Sequence, residues 1–555
     1  MRCTRSLKWL YAALPAVIVA LLTASPVNVA YAAYGFTPYE PLNTNAATDK
    51  GQDFGPVVAA DSAGTSIAVW QSNGKASSTI GADGDLFFAI SLNHGKTWSN
   101  PETLNTNATT DSLQDAEPAI ATDGNGHWIV VWASQEKVDG STDLDWDLLY
   151  AVFNGATWSD PATLNTNAST DSNTDQSPSI VSDKHGHWVV VWGTFDSLGG
   201  TIGNDGDILV SRSSDNGTTW TSPAALNTNA ASDSAMDSFP SVESNTTGTW
   251  ITVWQVYDMS GAGYGSDADV LYSRSADNGS TWSAPVPLND NASSDESDEF
   301  AVTIASNSSE TLMACWTSYV YTDEWEVNIA YSVSTNYGVV WSNPSFLTTD
   351  GMNKTSNERC SLACDGAGTW MAVWEGFRGL SNTLGADGDI VISLSTDDGA
   401  SWAPPRAMKQ NAPKDDGVDA DPKIVSDGVG NWIAVWESKD TLNDTIGKDW
   451  DILMSTTVYP QPLQIQKPNG GETYVRGVKK SMTWTTSLDP NDSVQIELWR
   501  DGAFVHRVDK STENDGLYKL TIPSDAEQGN GYIVRVILKS YPGVFDESDA
   551  PFKVK

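Results

Sequence analysis

One short string limits what this chain can fold into. "IAVW" ends at Trp70, and comparable strings end at Trp132, Trp192, Trp254, Trp316, Trp374 and Trp436. Successive copies lie about 60 residues apart, a period that belongs to repeat folds. Around each copy runs the same sentence: "LNTNA", an Asp-rich stretch, a short apolar strand, "DGxGxW", the "VW" strand, an acidic loop, "DILxSxS" and a polar turn ending in Trp. Each unit reads as four short strands joined by turn chemistry, rich in Val, Ile and Trp and without helical period. Four-stranded sheets repeated around an axis make a β-propeller, and a linear array is disfavoured because nothing caps it.

The ends of the repeat predict how the ring closes. "YGFTPYEPLNTN" at 34–45 is similar to the end of a unit, whereas the seventh unit stops after "DILMSTTV". The reading is all-β: a seven-bladed propeller over 33–459, closed by an N-terminal outer strand, then a small Ig-like β-sandwich over 460–555. The tail after "YPQPLQ" loses the repeat and gains Lys and Arg. Its "PNGGE" string, later Trp484 and final "FKVK" resemble the Ig-like modules described as Kre/Knh-type in secreted microbial and cell-wall proteins. That resemblance implies an accessory or surface-associated module.

Residues 1–32 read as a signal peptide: a basic start, an apolar run too short to span a membrane comfortably, and "AYA" before Ala33. The expectation is a secreted monomer, extracellular, periplasmic or on the cell surface, without membrane insertion. A formal net charge of −40 repels phosphate backbones, which excludes nucleic acid as a partner and favours divalent cations. After the signal, Cys315, Cys360 and Cys364 remain. A bridge from Cys315 to either of the others is open, and a direct Cys360–Cys364 bridge is too long on one strand.

The polar turn stands as "SLNHGKTW" (91–98), "SSDNGTTW" (213–220), "SADNGSTW" (275–282), "STNYGVVW" (334–341) and "STDDGASW" (395–402). This resembles the Asp-box, or BNR, motif of the sialidase-like propeller superfamily. Asp215, Asp277 and Asp397 are expected to accept turn amides. Gly217, Gly279 and Gly399 take a left-handed position, and Trp220, Trp282 and Trp402 bury apolar surface between sheets. The motif is a structural staple. The resemblance also implies an arginine triad, a Tyr/Glu nucleophilic pair and an acid/base Asp. Residues 33–211 contain no arginine, Arg212 and Arg274 sit on the turn side, and Arg359 and Arg378 come from one unit. The sialidase mechanism is therefore not carried over.

Candidate sites are expected on the face opposite the Asp-boxes. Inter-blade connections bring Asp53, Asp115, Asp175, Asp237, Asp298 and Asp419 there. The loops before the third strands bring Asp83/Asp85, Asp145/Asp147, Asp205/Asp207, Asp267/Asp269, Asp387/Asp389 and Asp449/Asp451. Carboxylates two apart point to one side of a strand. The ring either binds calcium or caps its own loops through Asx turns. No other cofactor is implied.

Departures from the repeat suit an asymmetric ligand. The fourth unit adds Tyr257 and Tyr264; the fifth adds Tyr319, Tyr321 and Trp325; the sixth adds Arg359, Phe377 and Arg378. Aromatic platforms beside polar groups suit sugars. The first functional reading is a non-catalytic module binding glycan or an extracellular or cell-surface protein. The alternative is a glycoside hydrolase whose acid and nucleophile or base come from Asp323, Glu324 and Glu326.

Overall fold

The computed structural model describes residues 35–74, 83–109, 112–136, 145–170, 173–257, 264–265, 267–289, 292–293, 296–307, 310–321, 325–348, 356–377, 384, 387–408, 417–458, 463–486, 493–539, 545–548 and 550–555. Every regular element among them is a β-strand. The signal read at 1–32 lies outside the described residues. No helix of the described residues is long and apolar enough to cross a membrane.

Six repeat units fold into successive antiparallel sheets of four strands and the seventh contributes three strands to a further sheet, an arrangement consistent with a β-propeller. Sheets one to seven open on the strands Asp53–Ala60, Asp115–Thr122, Asp175–Ser182, Met236–Ser244, Asp298–Ser306, Ser356–Cys364 and Asp419–Ser426. These first strands touch one another in chain order, and that of sheet seven touches that of sheet one. The "VW" strands follow. Both faces of a strand such as Trp188–Thr194 are covered by neighbouring sheets, which is why it is buried along its whole length. All seven "VW" tryptophans are fully buried.

Two N-terminal strands close the ring. Gly35–Phe36 and Glu40–Pro41 pair antiparallel with Asp451–Val458, the third strand of sheet seven, supplying the outer edge that its own unit lacks. Cys315 on sheet five is bonded to Cys360 on sheet six, which settles the open pairing, and Cys364 stays outside the disulfide.

The Asp-box turns hold neighbouring sheets together from one end. In the copy on sheet three, Asp215 accepts the Thr219 amide at 2.9 Å and the Ser213 hydroxyl at 2.8 Å. Gly217 has φ +77°, and a Cβ there would strike Ile129 of sheet two. Trp220 lies half-buried, edge-on to Tyr150 of sheet two at 5.8 Å between centroids. Asp277 and Gly279 on sheet four and Asp397 and Gly399 on sheet six repeat the arrangement, and Trp402 meets Tyr331 of sheet five at 5.9 Å.

After residue 462 two sheets face one core. Leu463–Lys467, Lys479–Thr486 and Leu517–Thr521 form the smaller sheet, and six strands including Ser493–Arg500 and Gly529–Leu538 form the larger. Leu463, Trp484 and Leu520 from one meet Val494, Ile496 and Val534 from the other.

Candidate ligand and cation sites

The "LNTNA" asparagine ties each sheet to the next. Asn227 donates from Nδ2 to Asp207 at 2.8 Å and to Asp237 at 2.7 Å, and its Oδ1 accepts the Ile208 amide at 3.1 Å. Asp207 begins the third strand of sheet three and Asp237 lies at the start of sheet four, so one side chain bridges two sheets. The other oxygen of Asp237 accepts the indole of Trp254 at 2.8 Å. Asn43 joins Asp451 to Asp53, Asn105 joins Asp85 to Asp115, and Asn165 joins Asp147 to Asp175 in the same way. These eight carboxylates, from the Asp pairs before the third strands and from the first strands, meet two by two at the junctions between successive sheets. The second Asp of each of these pairs is held by an asparagine from the next connection.

One expected position shifts by a residue. At the fourth junction Asn289 reaches Asp269 at 2.8 Å and Glu299 at 3.4 Å. Glu299 pairs opposite Ser318, as Asp237 pairs opposite Val256, so Glu299 and not Asp298 occupies the repeated position. Asp298 instead accepts the Ala268 amide at 2.9 Å. The longer Glu side chain reaches the asparagine from the same register. At the fifth junction Asn328, Thr348 and Asn357 replace the acids and the asparagine, and Thr348 bonds Asn328 at 2.9 Å. Trp374 donates to Asn357 at 2.9 Å, which identifies the position.

Two of these junctions gather further acid. Ligand oxygens of Asp49, Asp53 and Asp451 lie within 4.8 Å of one another, as do those of Asp205, Asp207 and Asp233. Burial, reinforced by Asp49 and Asp451, pushes Asp53 up to about 8. Burial with Asp205 and Asp233 pushes Asp207 up to about 7, and burial with Asp49 and Asp449 does the same to Asp451. Asp83, Asp145, Asp267 and Asp387 hold the corresponding places on sheets one, two, four and six, with Asp389 and Asp419 fully buried beside the last. Asp49 and Asp233 were not singled out from sequence, although both stand four residues after the second asparagine of the "LNTNA" string.

A second, asymmetric cluster forms where the first strands of sheets five to seven meet. Each first strand carries a bulge whose central residue is left-handed: Arg359 at φ +55° and Asp421 at φ +47°. Burial, together with the Glu358 carboxylate beside it, pushes the Tyr319 phenol up to about 12. Arg359 lies 4.0 Å from Glu375, and Asp421 pairs with Lys423 at 2.5 Å. Glu437 accepts the Gly55 amide at 2.9 Å and so links sheets seven and one. Burial pushes Glu375 up to about 7, against the pull of Arg359 and with the repulsion of Glu358, Asp421 and Glu437; Glu437 is also raised.

Of the ligand candidates, Tyr319 and Arg359 come together here. Tyr257 ends the second strand of sheet four, partly exposed, and Phe377 ends that of sheet six. Tyr264 packs against the core between sheets three and four. Tyr321 and Trp325 are the last backbone pair of the fifth-sheet hairpin; their side chains, with Asp323, Glu324 and Arg378, lie outside the described residues. Glu326 pairs opposite Val320 in that hairpin. Glu375 and Glu437 were missed from sequence. Each directly follows a "VW" tryptophan, where the earlier units carry Gln71, Ala133, Gly193, Gln255 and Thr317.

No protein-family model matches the chain, and no curated protein does. Among solved structures, an ulvan lyase representing a polysaccharide lyase family is similar at 11% identity and TM-score 0.44, over 76% of this chain and 93% of that one. The NanB sialidase from Streptococcus pneumoniae is similar at 13% identity and TM-score 0.38, over 76% and 70%. The leech intramolecular trans-sialidase stands at 15% and 0.38, over 76% and 70%. Scores of this size decide neither fold nor chemistry, which rest on the chain's own sheets and side chains.

Proposed function

We propose that the chain is an exported seven-bladed β-propeller with an Ig-like accessory module, and that it acts as a non-catalytic glycan-binding protein through the cluster on sheets five to seven. The cyclic contacts of the first strands and the Asp-box hairpins support the propeller. The observation that carries the binding reading is the convergence of Tyr319, Glu358, Arg359 and Glu375 at one point of an otherwise repeated ring. Sugar hydroxyls donate to carboxylates and accept from a guanidinium, and a tyrosine ring covers apolar sugar faces. Glycan array binding by the purified protein tests it, with Arg359→Ala and Tyr319→Phe expected to weaken binding by about tenfold each. Binding unchanged in both variants contradicts the assignment.

A glycoside hydrolase is the second reading. It draws on Glu375, a buried carboxyl pushed up to about 7 beside the Tyr319–Glu358 pair, as a general acid requires. Sugar release from the same glycans, lost in Glu375→Gln, favours it over binding alone.

A further inference from the structure

The junction that closes the ring holds buried oxygen atoms that no donor among the described residues satisfies. Asp451 is 1% exposed; its Oδ1 accepts from Asn43 at 2.8 Å, and its buried Oδ2 has no hydrogen-bond donor. Oδ2 of Asp449, Oδ1 of Asp49 and Oδ1 of Asn45 are buried in the same condition. Asn45 donates its Nδ2 to the other oxygen of Asp49, which fixes the amide so that Oδ1 is left over. A buried anionic oxygen without a donor is costly, and several together repel one another.

The same pattern recurs between sheets three and four. Asp207 is 1% exposed, gives Oδ1 to Asn227 and leaves Oδ2 without a donor. Oδ2 of Asp205 and Oδ1 of Asn229 repeat Asp449 and Asn45, and Asn229 donates to Asp233 as Asn45 does to Asp49. Both junctions therefore combine Asn-x-x-x-Asp from a connection with Asp-x-Asp before a third strand. At the fifth junction the two acids of the Asn–Asp bridge and its asparagine change together, to Asn328, Thr348 and Asn357. Joint loss fits groups that share one charge-dependent task.

We infer that Asn45, Asp49, Asp449 and Asp451 form a calcium site, and that Asn229, Asp233, Asp205 and Asp207 form a second. The donors are carboxylate and carboxamide oxygens only, which suits a hard cation. Several protein oxygens in one place suit calcium over magnesium, which keeps more of its water. At the closure junction two ligands come from the N-terminal segment and two from sheet seven, ends of the ring about 400 residues apart. The ion staples the N-terminal segment to the third strand of sheet seven, two parts of one sheet that no short peptide connection joins.

The test is calorimetric titration of CaCl2 into the EDTA-stripped full chain, with thermal unfolding recorded in CaCl2, in MgCl2 and without metal. Saturable calcium binding and a rise in Tm of several degrees, larger than with magnesium, are expected. Asp449→Asn/Asp451→Asn and Asp205→Asn/Asp207→Asn are each expected to remove one equivalent of binding, and the first is expected to lose most of the Tm gain. No heat and no Tm change in the stripped wild-type chain overturn the inference, a reading that holds even if a variant does not fold. Stoichiometry unchanged in both folded variants overturns the assignment to these residues.

Discussion

Glu375 shows how much one side chain's surroundings can outweigh its partner. Arg359 stands close enough to hold the carboxyl ionised, yet burial and the acids Glu358, Asp421 and Glu437 move it from 4.5 to about 7. A carboxyl raised on folding favours the folded state fully below its unfolded value and loses that contribution as pH rises through the folded one. The wild-type chain therefore loses stability relative to Glu375→Gln between about pH 4.5 and pH 7, on the order of 2–3 kcal/mol across the window. Urea unfolding of both proteins from pH 4 to pH 8 checks this; a difference that does not change with pH contradicts it. Arg359 and Tyr319 were legible as breaks in the repeat. Glu358 and Glu375 were not, because strand alternation gives a residue's side of the sheet but not the bulge that turns Arg359 toward its neighbours.

At the scale of the element, the joint between sheets is the repeated device. An asparagine that satisfies two buried carboxylates with one amide lets consecutive sheets share a polar network, and Trp254 completes it from the second strand. Asn227→Ala leaves Asp207 and Asp237 without that donor and is expected to cost about 2–4 kcal/mol. Thr348→Ala, in the uncharged version of the joint, is expected to cost about 1 kcal/mol, since no buried carboxylate is exposed by it. Chemical denaturation of both variants measures the contrast; equal costs contradict it. The carboxylates were readable because they recur at fixed places in each unit. The asparagine's role was not, since "LNTNA" reads as turn sequence and its bond to Asp207 spans 20 residues, that of Asn43 to Asp451 408. The slip from Asp298 to Glu299 has the same origin: adjacent acids are indistinguishable until pairing sets the register.

For the whole molecule, the sevenfold "VW" period and the turn chemistry carry most of the fold, because strand count, hairpin position and tryptophan burial follow from local pattern. Closure was also legible, from the unit fragment at 34–45. What sequence leaves open is how the ends are held once they meet. The structure pairs the N-terminal strands with sheet seven, and sets His94 against Asp427 at 2.7 Å and the Asn43 bridge at the adjoining junction between sheets seven and one. Both the proposed calcium site and the link from Glu437 to Gly55 lie at that junction. Its most direct test is a disulfide between Phe36→Cys and Thr457→Cys, which are direct partners across the closing pair, introduced with Cys364→Ser. A bond within one molecule is expected on mild oxidation, seen by mass spectrometry of the digested protein, with a raised Tm. No bond, or one formed only between molecules, contradicts a ring closed by its own N-terminal strand.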